Sequence, residues 1–439
     1  MSPKEVSEPV FEELRPPLSR KGALIEADRC LECGGPYAPA PCMVACPAGV
    51  DVAGFIAAIA ADDPATAAET IFAENLLGGT CARVCPVEVL CEAACVLPAT
   101  GRRPIEIAAL QRYATDQALE DGDALRTRRP SNGRRVAVIG AGPAGLVCAG
   151  ELASLGYAVT VFDERQEPGG LVRYAIAPYR QVREPLPQEA RALARLGVEF
   201  RLGRRIGHLE FERLAQQVDA VFLGIGMGPD TPISYPGDSL PGVWDSLPFI
   251  EAIKTGFAPE VGSRVIVIGG GNTAIDVARE ARRLGARDVT LVYRRGEAEL
   301  PAYAHEVAEA REEGVRFRFL AAPVRFLGRR WLEGVECVQM ELGEPDESGR
   351  RRPQPVEDSE FTLLANTAVK AIGQRPRSEL ADWIPGLELE HGAVKIDPET
   401  GRTTNPKFFA GGDAVNGTSV VEAVRDAKRA AKAIDEWLR

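Results

Sequence analysis

Eight of the chain's ten cysteines fall between Cys30 and Cys95. They read Cys30-x2-Cys33, Cys42-x3-Cys46-Pro47, Cys81-x3-Cys85-Pro86 and Cys91-x3-Cys95. Closely spaced thiolates with Cys-Pro steps suit iron–sulfur clusters, in which neighbours in sequence can serve different clusters. Two 4Fe-4S clusters would match this supply of thiolates. Zinc is the alternative, since C-x2-C pairs also suit it, but a tetrahedral site usually pairs two knuckles of similar spacing. Cys148 and Cys337 stand apart and read as core residues. His208, His305 and His391 are scattered, so no triad or His-rich metal site is expected, and no side chain is singled out as a catalytic acid or base.

A second chemistry is written in glycine. RRVAVIGAGPAGLVCAGELASLGYAVTVFD, from Arg134 to Asp163, runs strand, turn, helix, strand and acid. Gly140 allows the tight turn, Gly142 the approach of a pyrophosphate, and Gly145 close packing of helix on strand, so that phosphate charge meets a helix N-terminus. Asp163 stands where an acid can bind an adenosine ribose. The pattern recurs as SRVIVIGGGNTAIDVAREARRLGARDVTLVYRR, with Gly269, Gly271 and Ala274 in the fingerprint and Asn272 and Thr273 opening the helix as expected cofactor contacts. This copy closes on Arg294 and Arg295, which suit a 2'-phosphate. The first unit is therefore expected to bind FAD and the second NADPH, with NADH kept open.

The elements that must position these groups follow from periodicity. DVAGFIAAIA, PATAAETIFAEN and Ile105–Leu119 carry apolar residues at helical spacing, so the cysteines would lie on loops and helix ends of a small α-helical domain. Arg126–Arg135 is a charged linker with proline and glycine. The expected fold is α+β multidomain, an N-terminal α-helical iron–sulfur domain followed by two Rossmann-like α/β units in a disulfide-reductase-like arrangement. Its expected boundaries are 1–128 for the helical domain with two 4Fe-4S clusters, 134–245 with 365–439 for FAD, and 246–364 for NAD(P)H. No cysteine pair follows Gly170 or lies in the inserted unit, which disfavours thiol–disulfide chemistry.

With 52 basic against 63 acidic residues the net charge is -11, against a nucleic-acid or anionic-membrane surface as main partner. The first residues lack the apolar core of a signal peptide, and no apolar run approaches a membrane span, so a cytoplasmic protein is expected. In that compartment cysteines are ligands or redox groups more often than disulfides.

The run RCLEC, APCMVACPAGVDV, AAETIFAENLLGGTCARVCPVEVLCEAACV and PIEIAALQRYATD resembles the N-terminal domain of dihydropyrimidine dehydrogenase and its bacterial flavoprotein subunit. The wider family includes the small subunit of NADPH-dependent glutamate synthase and the FAD subunit of electron-bifurcating transhydrogenase. The resemblance implies interleaved ligands: Cys30, Cys33, Cys42 and Cys95 for one cluster, and Cys46, Cys85, Cys91 and Gln111 for the other. It leaves Cys81 as a non-ligand. Gln111 and the Cys85 to Cys91 gap fit the pyrimidine branch, while the Cys33 to Cys42 gap, GGPYAPAP, is longer than usual and its loop is expected to bulge. The family also implies FAD contacts at Gly170, Leu171, Gly412 and Asp413, and an arginine near the flavin at Arg180, whose plain alternative is a surface cation.

Nicotinamide gives up two electrons at once and each cluster accepts one, so a flavin belongs between them. The expected function is hydride transfer from NAD(P)H to FAD, then single electrons through two clusters to a larger or FMN-bearing catalytic subunit in a hetero-oligomer. Because the sequence stops at Arg439 before an FMN-binding pyrimidine domain, the acceptor is expected elsewhere. The first expectation is a dihydropyrimidine dehydrogenase subunit reducing uracil and thymine. Alternatives are the small subunit of a glutamate synthase or of a transhydrogenase or hydrogenase complex, and, from another class, a zinc-stapled flavin-binding scaffold without an electron exit.

Overall fold

The computed structural model describes residues 11–35, 38–122, 125–257, 259–345 and 351–439. They divide into two compact units. One joins Glu13–Arg173, Arg183–Met227 and Pro376–Arg439; the other joins Tyr174–Val182, Gly228–Arg375 and the arm at Phe11 and Glu12.

In the first unit the two apolar segments of the cysteine region become helices Val52–Ala60 and Pro64–Glu74. An aspartate starts each: Asp51 accepts from the Gly54 amide and Asp63 from that of Thr66, with Pro64 at the first helical position. Phe55, Ile56 and Ile59 on one helix and Ala67, Ile71 and Phe72 on the other are buried. Each large side chain so buried contributes about 1.5–3 kcal/mol. Helix Ile107–Asp121 completes the layer and ends at Gly122 in the left-handed region. The cysteines lie between these helices, on turns and short helix ends.

A five-stranded parallel sheet follows, in the order Phe408–Ala410, Ala220–Leu223, Arg135–Ile139, Ala158–Phe162, Val198–Arg201. Val136, Ala137 and Val138 are all buried, the continuous apolar run of a strand covered on both faces. Helix Pro143–Ser154 and the C-terminal helix Val420–Leu438 pack together in this unit. Cys148 faces this core, fully buried. The linker residues 127–135 are exposed, while Arg126 is anchored by the Phe72 carbonyl at 2.9 Å and by Glu151 at 2.6 Å.

The second unit repeats the design. Its parallel sheet runs Val243–Asp245, Thr367–Lys370, Arg264–Ile268, Asp288–Tyr293, Val315–Phe319. The repeat reaches single bonds: the Gly140 amide donates to Phe162 O at 2.8 Å and the Gly269 amide to Val292 O at 3.0 Å. Val315–Phe319 closes the parallel sheet, whereas Ala321–Leu327 and Gly334–Pro345 join Arg351–Pro355 and Phe361–Leu364 in an antiparallel sheet. The parallel sheet also draws in Val243–Asp245 and Thr367–Lys370, so the unit extends past 246–364 in both directions. Thr367–Lys370 is buried throughout, and the short strand Val243–Asp245 pairs its otherwise open edge. Among the described residues no helix is long and apolar enough to cross a membrane.

Candidate functional site

The helical region brings the cysteines into two neighbouring groups. Cys30, Cys33, Cys42 and Cys95 line one hollow, walled by Ala53, Ile56, Leu97, Ile105 and Ile107. Burial pushes the Cys42 thiol up to about 11, and the Cys30 sulfur adds to the effect. Burial likewise raises Cys30, with Cys33 and Cys95 adding like charge. Four thiolates in an apolar hollow are stable only around a compensating positive body, which is what iron ions supply. Within the long Cys33 to Cys42 loop, Gly35 and Ala38 form a bridge, while Pro36 and Tyr37 lie outside the described residues.

Cys46, Cys81, Cys85 and Cys91 form the second group. The Cys85 thiol is raised by a hydrogen bond it donates to Cys81, then by burial and the charges of Cys81, Cys91 and Cys46. Burial raises Cys91, with Glu92, Cys46 and Cys42 adding to it, so the two groups adjoin. Helix Gly78–Val84 carries Cys81 and ends on Cys85. Gln111, on helix Ile107–Asp121, donates Nε2 to Gly78 O at 2.7 Å. That bond fixes which end of the amide carries the free oxygen. Both Gln111 and Cys81 are thus held by the helix that ends at the second group. Among the described residues no three His, Cys, Asp or Glu side chains converge closely enough to hold a single metal ion. A four-iron cluster spreads its ligands around a larger body.

At the first glycine turn the helix Pro143–Ser154 starts from Gly142. A Cβ at Gly145 would stand 1.9 Å from Gly140 O, so helix and strand can meet only over hydrogen. Asp163 accepts from the amides of Ala141 at 2.7 Å and Arg165 at 2.8 Å, which folds the acid against the turn. The Gly169 amide donates to Ala141 O at 2.7 Å, bringing Gly170 and Leu171 to the same place. Gly412 and Asp413 lie in a short 3-10 turn, and the long helix begins later, at Val420, capped by Ser419. Burial pushes Asp413 up to about 6, with Glu422 and Asp426 adding to it. Asp426 was not foreseen: its Oδ2 accepts from the Gly412 amide at 3.2 Å, and it is 5% exposed. An acid on the inward face of an amphipathic helix was the available signal.

In the second unit helix Asn272–Arg283 starts from Gly271. The Asn272 side chain accepts from the Tyr303 amide at 3.0 Å, while Thr273 is exposed. The two arginines at the strand end separate: Arg294 is exposed, whereas Arg295 is 6% exposed with Nε on Arg351 O at 2.9 Å. Arg180 belongs to this unit and is no surface cation. It reaches Asp276 at 2.7 Å and Glu306 at 2.8 Å. The buried Tyr179 hydroxyl also donates to Asp276, at 2.5 Å. Three guanidinium groups, of Arg180, Arg279 and Arg283, flank the Tyr179 ring. Cys337 is fully buried in its strand.

Two glycine turns on two parallel sheets, joined to a cysteine-rich helical region, define a two-nucleotide flavoprotein of the pyridine nucleotide-disulphide oxidoreductase class. The family model of that description matches residues 134–432 and 79–232, and that for dihydropyrimidine dehydrogenase domain II, 4Fe-4S cluster, matches residues 7–123. The NADPH glutamate synthase small chain of Halomonas elongata is 39% identical over 448 residues, 98% of this chain and 93% of that one. The NADP(+)-dependent formate dehydrogenase subunit beta of Moorella thermoacetica is 36% identical over 92% of this chain and 60% of its own length. Mycobacterium tuberculosis FprA in complex with NADPH superposes with a TM-score of 0.59 over 71% of this chain and 85% of that one, at 22% identity, a likeness of fold. The chain belongs to the glutamate synthase small-subunit-like family and is an oxidoreductase that binds FAD, NAD(P)H and 4Fe-4S iron. The 4Fe-4S domain match sets the zinc alternative aside.

Proposed function

We propose that this chain is the electron-input subunit of a larger enzyme, oxidising NADPH and passing single electrons through two 4Fe-4S clusters to a catalytic partner. The observation that carries the reading is the grouping of the cysteines. The four that line one hollow are Cys30, Cys33, Cys42 and Cys95, and Cys46, Cys85 and Cys91 gather beside them. Gln111 is the eighth ligand, its amide turned by the Gly78 carbonyl. A flavin bound at Gly140, Gly142, Gly145, Asp163, Gly170, Leu171, Gly412 and Asp413 supplies the conversion from hydride to single electrons. The residues of the chain bind and orient. Gly142 opens a helix whose dipole favours pyrophosphate, and Asp163 is placed for ribose. Gly269, Gly271, Asn272 and Thr273 receive the second dinucleotide, and exposed Arg294 meets its 2'-phosphate. Arg180, held by two carboxylates, acts as a fixed cation and has no proton to exchange.

Two partners have specific support. The end-to-end relative favours a glutamate synthase large subunit. Gln111 and the Cys85 to Cys91 spacing favour an FMN-bearing dihydropyrimidine dehydrogenase subunit. Anaerobic purification tests the core reading: about eight iron and eight sulfide per chain, with broad visible absorbance bleached by NADPH, are expected. Four iron per chain would overturn the two-cluster assignment. Reconstitution with each partner, scored by NADPH-dependent glutamate formation or uracil reduction, decides between them.

A further inference from the structure

We propose that Lys428 is a positioning residue for the second cluster, acting through the peptide that joins Ala48 to Gly49. This rests on the assignment of Cys46, Cys85, Cys91 and Gln111 to that cluster. Lys428 projects from the C-terminal helix and its Nζ donates to Ala48 O at 2.7 Å. Glu74 Oε2 takes a second bond from the same ammonium at 2.5 Å. Ala48 is 3% exposed and Val50 2%, while Gly49 between them is exposed.

The Ala48 carbonyl and the Gly49 amide are the two ends of one resonant unit. A cation on the oxygen draws electron density through it and makes the N–H a stronger donor. That N–H is aimed at Cys46: it bonds Cys46 O at 3.0 Å, and Gly49, at φ +73, turns the chain back around the residue. The turn so closed holds Cys46, the ligand two residues before Ala48. Positive charge near a cluster stabilises its reduced form. Glu74 offsets the charge of Lys428 but leaves its grip on the peptide, so the pair separates charge from orientation.

The same helix serves the flavin loop, because Asp426 holds the Gly412 amide two residues before Lys428. The bonds of Lys428 go to Ala48 and Glu74, so its removal should spare hydride transfer.

The test uses the full chain, purified anaerobically with FAD and iron–sulfur clusters. The midpoint potentials of both clusters are read by EPR-monitored titration in the wild type, Lys428→Met, Lys428→Arg and Glu74→Gln. Lys428→Met should lower one cluster only, changing its reduced-to-oxidised ratio at fixed potential about threefold to tenfold, tenfold being about 59 mV. Lys428→Arg should restore it, Glu74→Gln should move it the opposite way, and NADPH reduction of the flavin, followed by stopped flow, should be unchanged in all three. Unchanged potentials in Lys428→Met, or equal shifts of both clusters, overturn the proposal. If Lys428→Met does not assemble, Glu74→Gln decides, and an unmoved potential there overturns it. Failure of the underlying assignment shows separately, as one EPR signal and half the iron in the wild type.

Discussion

Glu189 accepts both the amide of Thr80, at 3.0 Å, and its hydroxyl, at 2.6 Å, across a fully buried contact between the helix Leu186–Arg195 and the start of helix Gly78–Val84. The carboxyl thereby ties the nucleotide-binding half of its unit to the helix that ends on Cys85. Burial pushes it up to about 7, against the hydrogen bonds of Thr80 that pull it down. A folded value above the unfolded one, about 4.3, means the folded state holds the proton more tightly. The associated stability is full below the unfolded value and is lost as pH rises through the folded one. Urea melts from pH 5 to 8 should therefore show stability falling by up to about 3 kcal/mol. Glu189→Gln should flatten that slope; a slope unchanged by the substitution would contradict it.

The ligand assignment separates Cys81 from its neighbours. Cys81→Ala should keep the full iron content, whereas Cys46→Ala should lose about half. Gln111→Cys adds a negative ligand and should lower the potential of its own cluster while leaving the other. Iron analysis and EPR titration read both, and a loss of iron in Cys81→Ala would move Cys81 into the ligand set.

Arg294 and Arg295 should behave oppositely although they are adjacent. Arg294→Ala removes an exposed cation and should raise KM for NADPH about tenfold or more, with NADH use and melting temperature unchanged, since a charge-assisted bond to phosphate contributes about 1.5–3 kcal/mol. Arg295→Ala removes a buried group bonded to Arg351 O and should cost about 1–3 kcal/mol of stability. Kinetics with both nucleotides and thermal melts distinguish the two roles.

The carboxylates around Arg180 make its loss severe. Arg180→Met would leave Asp276 and Glu306 together without their guanidinium, at a cost of about 3–5 kcal/mol. Adding Asp276→Asn should recover part of this. Denaturation of the single and double variants measures the coupling, and strict additivity would count against a shared network.

Much of the fold was legible because its signals are local. The strands Arg135–Ile139, Ala158–Phe162 and Ala220–Leu223 fall where β-branched runs meet glycine, and the Asp-capped helices begin where apolar periodicity does. The hollow that joins Cys30, Cys33, Cys42 and Cys95 was readable only through family resemblance, since spacing alone leaves eight thiols equivalent. What stayed hidden depends on distant contacts. Val243–Asp245 joins the second sheet because Thr367–Lys370 has an open edge to fill. Arg295 is withdrawn from its neighbour's role by a carbonyl at residue 351. Asp426 and Lys428 bond backbone groups 14 and 380 residues away, and no local pattern names such partners.

Four of the five strands stand in the same order in the two parallel sheets, and the residues proposed to tell their nucleotides apart lie beyond the last paired residue of a single inner strand: Asp163 after Phe162 in one, Arg294 after Tyr293 in the other. On that proposal nucleotide preference is carried by side chains at the strand tip and not by the paired residues of either sheet. Evolution or engineering could exchange one cofactor for another by editing that tip, with little demand on the folding of either sheet.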